Sequence, residues 1–211
     1  MAPLTLQSLP LFPLGTVLFP GGLLPLRIFE VRYLDMISRC HKAGAPFGVV
    51  CLTHGHEVRQ AGVEDEVFAE VGTLATIERL ATPQPGLVLV QARGSQRFRM
   101  QATHRMKHGL WVADVECLAD DRPLPIPEDL APAAQALGRV LATLQGQLGE
   151  GEEMPVSYPW QLDDCAWVAN RWCELLPLDA QLKQRLMALD NPLVRLELVS
   201  DTLTRLGIEA G

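Results

Sequence analysis

Residues 9–34 read LPLFPLGTVLFPGGLLPLRIFEVRYL, and the punctuation of this stretch decides the fold. Prolines at 10, 13, 20 and 25 exclude a continuous helix, because proline lacks the amide donor and clashes with the preceding turn. They suit edge or bulged strands instead. Three short apolar runs, Leu9–Leu14, Val17–Phe19 and Leu23–Ile28, therefore read as strands, with Pro20-Gly21-Gly22 turning the chain into the third. Phe29 then opens a helix to Lys42. Its apolar residues Phe29, Tyr33, Met36, Ile37 and Cys40 recur at helical spacing, Asp35 precedes Arg39 by one turn, and Gly44 supplies the stop.

Working outward, Phe47–Leu52 is a buried strand and Thr53–Val63 a polar loop carrying His54 and His56. Val67–Leu80 is a long strand in which Gly72 marks a bulge or a close backbone approach. Leu87–Ala92 and Gln96–Thr103 follow as two strands separated by Gly94-Ser95. In the second, Phe98 and Met100 alternate with Arg97, Arg99 and Gln101, which predicts one buried and one basic, wet face. Leu110–Leu118 completes a mostly antiparallel, barrel-like β domain over residues 1–118.

An acidic, proline-rich linker at about 119–127 then changes the periodicity from 2 to 3.6. Residues 119–211 read as an α-helical bundle of about four helices, giving an α+β chain. Leu130–Leu148 is the first helix, Leu162–Leu176 the second, Asp179 caps the third, and Asn191-Pro192 starts the last.

Composition narrows the function classes. Of 211 residues, 48% are apolar and 20% charged, so a filled core is expected rather than disorder. No apolar run reaches the ~18–20 residues of a membrane span, and the proline-broken start lacks the basic region of a signal peptide. Five widely spaced cysteines fit reduced thiols in the cytoplasm better than a disulfide framework. Residues 1–118 carry 11 Lys and Arg against 10 Asp and Glu, whereas residues 119–211 carry 7 against 15. The acidic second part argues against a general affinity for nucleic acid.

The opening stretch, together with Glu70–Ile77 (EVGTLATI) and Val88–Arg99 with its Gly94 and Arg97-Phe98, resembles the Lon protease amino-terminal, substrate-binding domain family. Leu175–Leu178 and Lys183–Asp190 are similar to the helices that follow that β domain, so the resemblance spans nearly the whole chain. It implies a PUA-like β pseudobarrel followed by a helical bundle, as in the free-standing bacterial members, contributing substrate recognition while ATP hydrolysis and peptide cleavage reside elsewhere. The residues agree. Neither Lys42, Lys107 nor Lys183 lies in a phosphate-binding Gly-x-x-x-x-Gly-Lys context, and no serine–lysine pairing suggests a protease dyad. The expectation is a non-enzymatic module without cofactor or metal. Its partners would be unfolded or partly folded polypeptides, with a protease acting in trans and a homodimer left open.

The contact candidates are Trp160, Trp167, Arg27, Arg97 and Arg99. Trp160 follows Tyr158-Pro159 in a loop and Trp167 falls beside a buried stripe, so either could present an aromatic anchor. The blander use is packing. Arg27, Glu30 and Arg32 bracket the strand-to-helix junction, either as a contact surface or as an ion pair that fixes it. Arg93, Arg97, Arg99, Arg105 and Lys107 form the one basic concentration, which makes an RNA-binding PUA-like module the first rival; the lack of interleaved aromatics speaks against it. The second rival is a small-molecule sensor or a cysteine hydrolase. Cys51, His54 and His56 could supply metal ligands, but no fourth ligand or reinforcing spacing accompanies them. The binding groove is expected on the β domain or at its junction with the bundle.

Overall fold

The computed structural model describes residues 4–54, 66–149 and 151–208. It divides into two compact units, 1–120 and 121–211, and each is described by itself.

In the first unit the strands are β1 (Thr5–Leu14), β2 (Leu23–Ile28), β3 (Phe47–His54), β4 (Val67–Phe68), β5 (Val71–Gln84), β6 (Leu87–Arg105) and β7 (Trp111–Cys117), with helix α1 (Val31–Ala43) between β2 and β3. The sheet runs β1-β7-β6-β5-β3, and β3 pairs back onto β1, so these five strands close a ring. All of its pairings are antiparallel except β1–β3, where Leu11 to Leu14 run parallel to Gly48 to Cys51. Closure covers both edges of a strand only where these pairings overlap; beyond Ala75, β5 pairs with β6 alone among the described residues. β2 stands outside the ring, paired only with the first half of β6 among the described residues. In β1 the register shifts between Leu6 and Leu9, where Ser8 adopts a positive φ of 53° and its amide donates to Asp114 Oδ1 at 2.9 Å.

One side of the core gathers Phe12, Leu26, Ile28, Tyr33, Ile37 and Phe47; the other gathers Leu11, Val50, Phe98 and Val115. α1 buries Tyr33, Met36, Ile37 and Cys40, the face its spacing predicts, and ends at Gly44 in the left-handed region with φ 60°. The amides of Gly44 and Ala45 donate to His41 O and Cys40 O, satisfying carbonyls that the last turn would otherwise leave open.

Three local expectations are corrected. Val17–Phe19 is not a strand: it is buried coil, with Phe19 fully enclosed. Its backbone is satisfied otherwise, since Thr73 Oγ1 donates to Leu18 O at 2.6 Å and Gly22 N donates to Phe19 O at 3.0 Å. Residues 87–105 form one bent strand rather than two, and Gly94 is not a turn but the point over which Phe19 passes. Arg97 is buried, 4% exposed, not on a wet face. It lies opposite fully buried Thr73, so the segment that covers Thr73 covers this part of the strand as well.

The second unit holds α2 (Ala131–Gln147), α3 (Cys165–Leu175), α4 (Ala180–Ala188) and α5 (Pro192–Arg205). Asp164, Asp179 and Asn191 cap α3, α4 and α5, accepting from the amides of Trp167, Leu182 and Leu193 at 2.8, 2.7 and 3.0 Å. Arg195 of α5 is 1% exposed. Its guanidinium donates to Leu186 O, Leu189 O, Asn170 Oδ1 and Asp121, so one side chain ties the linker to α3, α4 and α5.

Glu174 pairs with Arg171 at 2.8 Å, yet burial pushes its carboxyl up from the ordinary 4.5 to about 7, the attraction of Arg171 and Lys183 only partly opposing this. The folded unit therefore holds a proton that the unfolded chain releases near pH 4.5. Stability should fall as pH rises from about 4.5 to about 7 and level off above, by on the order of 2–3 kcal/mol. Glu174→Gln should remove this slope in urea unfolding at pH 5 and pH 8. An unchanged slope in the variant would place the titrating group elsewhere.

Candidate functional site

β2 forms the wall between two hollows of the first unit. On one side lies a groove of about 300 Å³, bounded by Phe12–Leu14, the strand itself and Tyr33 at the start of α1. On the other is a broad, shallow hollow of about 880 Å³ on the outer face of the β2–β6–β5 sheet, including Pro25, Arg27, Arg79, Ala81, Leu89 and Gln91.

Alternation along β2 builds this wall. Leu24, Leu26 and Ile28 are buried, while Pro25 and Arg27 are exposed. Gly94 N donates to Gly22 O at 2.9 Å, and antiparallel alternation then directs the backbone of Leu24, Leu26 and Ile28 toward β6. The backbone groups of Leu23, Pro25 and Arg27 face the free edge. Proline has no amide to offer there, which blunts the edge as a template for another strand.

The mouth of the groove is held rigidly. Arg32, 7% exposed at its side chain, pairs with Glu30 at 3.0 Å and with Glu66 at 3.5 Å, and donates to Gly109 O at 3.0 Å. Its guanidinium stacks over Tyr33, 4.5 Å from the ring centre. Glu66 also accepts from Trp111 Nε1, and Trp111 stands edge-on to Phe68 at 5.2 Å. With Arg32 and Glu30 committed to each other and to this frame, the pair fixes the strand-to-helix junction.

Phe29 is the residue that sequence reasoning missed. The periodicity counts it as the first core position of the helix, but α1 begins at Val31 and Phe29 is 59% exposed on the lining of the groove. A signal was present: Phe29 immediately precedes the cap residue Glu30, where an apolar side chain often lies outside the helix and closes over its first turn.

The other candidates fall in different places. Arg27 is exposed in the lining of both hollows. Arg97 is buried and does not belong to either; Arg99 is exposed, opposite Glu116 of β7. Trp160 and Trp167 lie in the second unit and are half-buried. The Trp160 ring packs against Tyr158 at 5.7 Å, while the Arg171 guanidinium stands over Trp167 at 5.8 Å.

The basic concentration is largely committed within the fold. Arg93 pairs with Glu78 and donates to Gly21 O, Arg97 is buried, and Arg105 stands over Trp111. That leaves few of its charges for phosphates. The five thiols are buried and unpaired. Burial raises all of them, Cys173 to about 12, the reverse of what a nucleophilic thiolate requires. No cysteine lines either hollow. Among the described residues no group of three or more His, Cys, Asp or Glu is placed to hold a metal; of the considered ligands, His56 lies outside the described residues.

A family model described as the ATP-dependent protease La (LON) substrate-binding domain matches residues 8–205. The chain belongs to the LON substrate-binding domain family. A crystal structure of a Lon N-terminal domain protein from Xanthomonas campestris is 33% identical, with a TM-score of 0.72 over 93% of this chain and 98% of that one. The N-terminal domain of a Mycobacterium avium complex Lon protease shares the fold at 20% identity, with a TM-score of 0.60 over 92% and 97% of the two chains. Among curated proteins, a Lon protease of Flavobacterium johnsoniae is 28% identical over 117 residues, which is 55% of this chain but 14% of that protease. The β ring with its attendant helices is thus the LON-domain architecture, mixed α+β with a mostly antiparallel sheet.

Proposed function

We propose that this LON-family chain recognises polypeptides non-covalently, holding extended segments along β2 of the first unit and performing no bond-making chemistry of its own. The observation that carries the reading is the groove beside β2, apolar along Phe12, Leu14 and Leu24, with Phe29 exposed on its lining. An apolar side chain so placed, beside a frame that spends three contacts on Arg32 to hold the junction, suits capture of apolar side chains from a partly folded chain. The family description supports it, as do thiols held protonated by burial. The reading places the protein in the cytoplasm, presenting clients to a protease in trans; five free cysteines suit that compartment, and no described helix is long and apolar enough to cross a membrane.

The test is binding of a reduced and alkylated, permanently unfolded polypeptide, followed by fluorescence anisotropy. Phe29→Ser should weaken binding about ten-fold, in line with losing one buried aromatic anchor, with the thermal melt unchanged. Trp160→Phe in the same titration reports whether Tyr158 and Trp160 add a second contact. Absence of binding by the unmodified protein would remove the reading.

A further inference from the structure

The groove beside β2 runs along the edge of the strand rather than over one face of it. Its lining takes in every residue from Leu24 to Glu30, buried and exposed positions alike, together with Phe12–Leu14 of β1. β2 pairs only with β6 among the described residues. The alternation set by the hydrogen bond from Gly94 N to Gly22 O turns the Pro25 carbonyl and the Arg27 amide away from β6, toward the groove. Two charged residues line it, Arg27 and Glu30. Glu30 is committed to Arg32 at 3.0 Å, whereas the Arg27 side chain forms no hydrogen bond or ion pair with the described residues. The groove is thus apolar with one uncompensated positive charge.

We propose that this groove captures the carboxyl-terminal end of a polypeptide whose last side chain is apolar. The inference rests on the polypeptide-binding reading above and names the part of a client that β2 holds. Hydrogen bonding sets the arrangement. In a parallel pair, the incoming residue opposite Leu26 donates its amide to Pro25 O and accepts through its carbonyl from Arg27 N–H. When that residue is the last of its chain the acceptor is a carboxylate, and the Arg27 guanidinium adds a charge-assisted bond to it. The side chain of the same residue falls on the face of Leu26, beside Phe12 and Leu14. The surroundings favour an end over a continuous segment. β2 stops one residue beyond Arg27, and Glu30 and Tyr33 at the start of α1 also line the groove, so a chain running parallel to β2 meets this wall just past Arg27. Toward Leu23, the missing amide of Pro25 leaves the client's preceding carbonyl to water, which confines the pairing to the final residue. A volume of about 300 Å³, at the lower limit of small-molecule sites, suits that residue better than a long segment. An amino-terminal end would instead set an ammonium beside the Arg27 guanidinium, with Glu30 already engaged.

The experiment uses the full chain and peptides labelled with fluorescein at the amino terminus, all ending in the same apolar sequence with a final Leu. The free acid should bind about ten-fold more tightly than its carboxamide at low salt, and the gap should narrow as salt rises. N-methylation of the final residue, which removes the donor to Pro25 O, should weaken the free acid about five-fold. Exchange of the final Leu for Ser should weaken it about ten-fold. Arg27→Gln should bring acid and carboxamide to within about two-fold of each other, the backbone amide alone remaining, with the melt unchanged because the side chain is exposed. Equal binding of acid and carboxamide, both still weakened by Phe29→Ser, would overturn this inference and leave the polypeptide-binding reading standing. Failure of every peptide while the unfolded polypeptide still binds would do the same. Failure of the peptides and of the unfolded polypeptide together would overturn both. A carboxamide with Glu before its final Leu that binds as tightly as the free acid would assign Arg27 to acidic side chains instead. Self-association abolished by Arg27→Gln, with no difference between acid and carboxamide, would assign the groove to a second copy of the chain.

Discussion

Arg195→Met should unfold the helical unit at a urea concentration far below that of the unmodified protein, a loss of about 3–5 kcal/mol. The guanidinium serves Leu186 O at 2.9 Å, Asn170 Oδ1 at 3.0 Å and Asp121 Oδ2 at 2.6 Å, together with Leu189 O. Removing it takes a buried positive charge from the Asp121 carboxylate, 10% exposed at its side chain, and a donor from Leu186 O in the last turn of α4. Arg195→Lys should recover little, because an ammonium cannot span acceptors spread over α3, α4 and the linker as a planar fork does. Tryptophan fluorescence is the suitable readout, since Trp160, Trp167 and Trp172 all lie in this unit. A midpoint unchanged in both variants would mean that the linker and helices hold together by apolar packing alone.

Gly94→Ala should destabilise the first unit by about 3 kcal/mol, at the upper end of the cost of overfilling a core. A methyl at this position would sit 2.3 Å from Phe19 O and 3.0 Å from Leu18 Cγ. Backbone is the unyielding neighbour here, because Gly21 N donates to Gly94 O at 2.8 Å and Gly94 N to Gly22 O at 2.9 Å. Making room therefore breaks those bonds and lifts Phe19, which is fully buried, out of its seat. Gly146→Ala is the control: nothing lies within 4 Å of the added carbon, and in a helix the exchange should be neutral or stabilising by up to ~1 kcal/mol. Thermal melts by circular dichroism separate the two. A Gly94→Ala melt indistinguishable from that of the unmodified protein would show that residues 15–22 can move away freely.

Much of this architecture is legible in the sequence because it is written in local chemistry. Pro20-Gly21-Gly22 does turn the chain into β2, Gly44 does end α1, and Asp179 and Asn191 do cap their helices. What local patterning cannot express is cover supplied from a distant part of the chain. Val17–Phe19 has the apolar text of a strand, but its hydrogen bonds are met by Thr73 and Gly22, so it lies as coil. The same cover buries Arg97, whose alternation with Phe98 and Met100 otherwise argues for solvent. The site suffers from this limit most. Arg27 and Arg32 look equivalent on either side of Glu30, yet Arg32 finds Glu66 and Gly109 across the fold whereas Arg27 does not. Phe29 fits helical spacing and still points away from the core, because the helix begins two residues later.

The strand that closes the ring also sets an order of events. β1 pairs with β3 on one side and with β7 on the other, and the Ser8–Asp114 bond joins residues 106 positions apart. As the chain emerges from the ribosome, β1 can meet β3 early but must wait for β7 before its second edge is covered. Pairings at such separation form slowly, since the entropy of closing the long loop is lost before the contacts compensate for it. The first unit should therefore mature only after Cys117 has been made, and a nascent chain stalled before β7 should present the apolar edge of β1, the segment with which the family is recognised, to whatever chaperone is near.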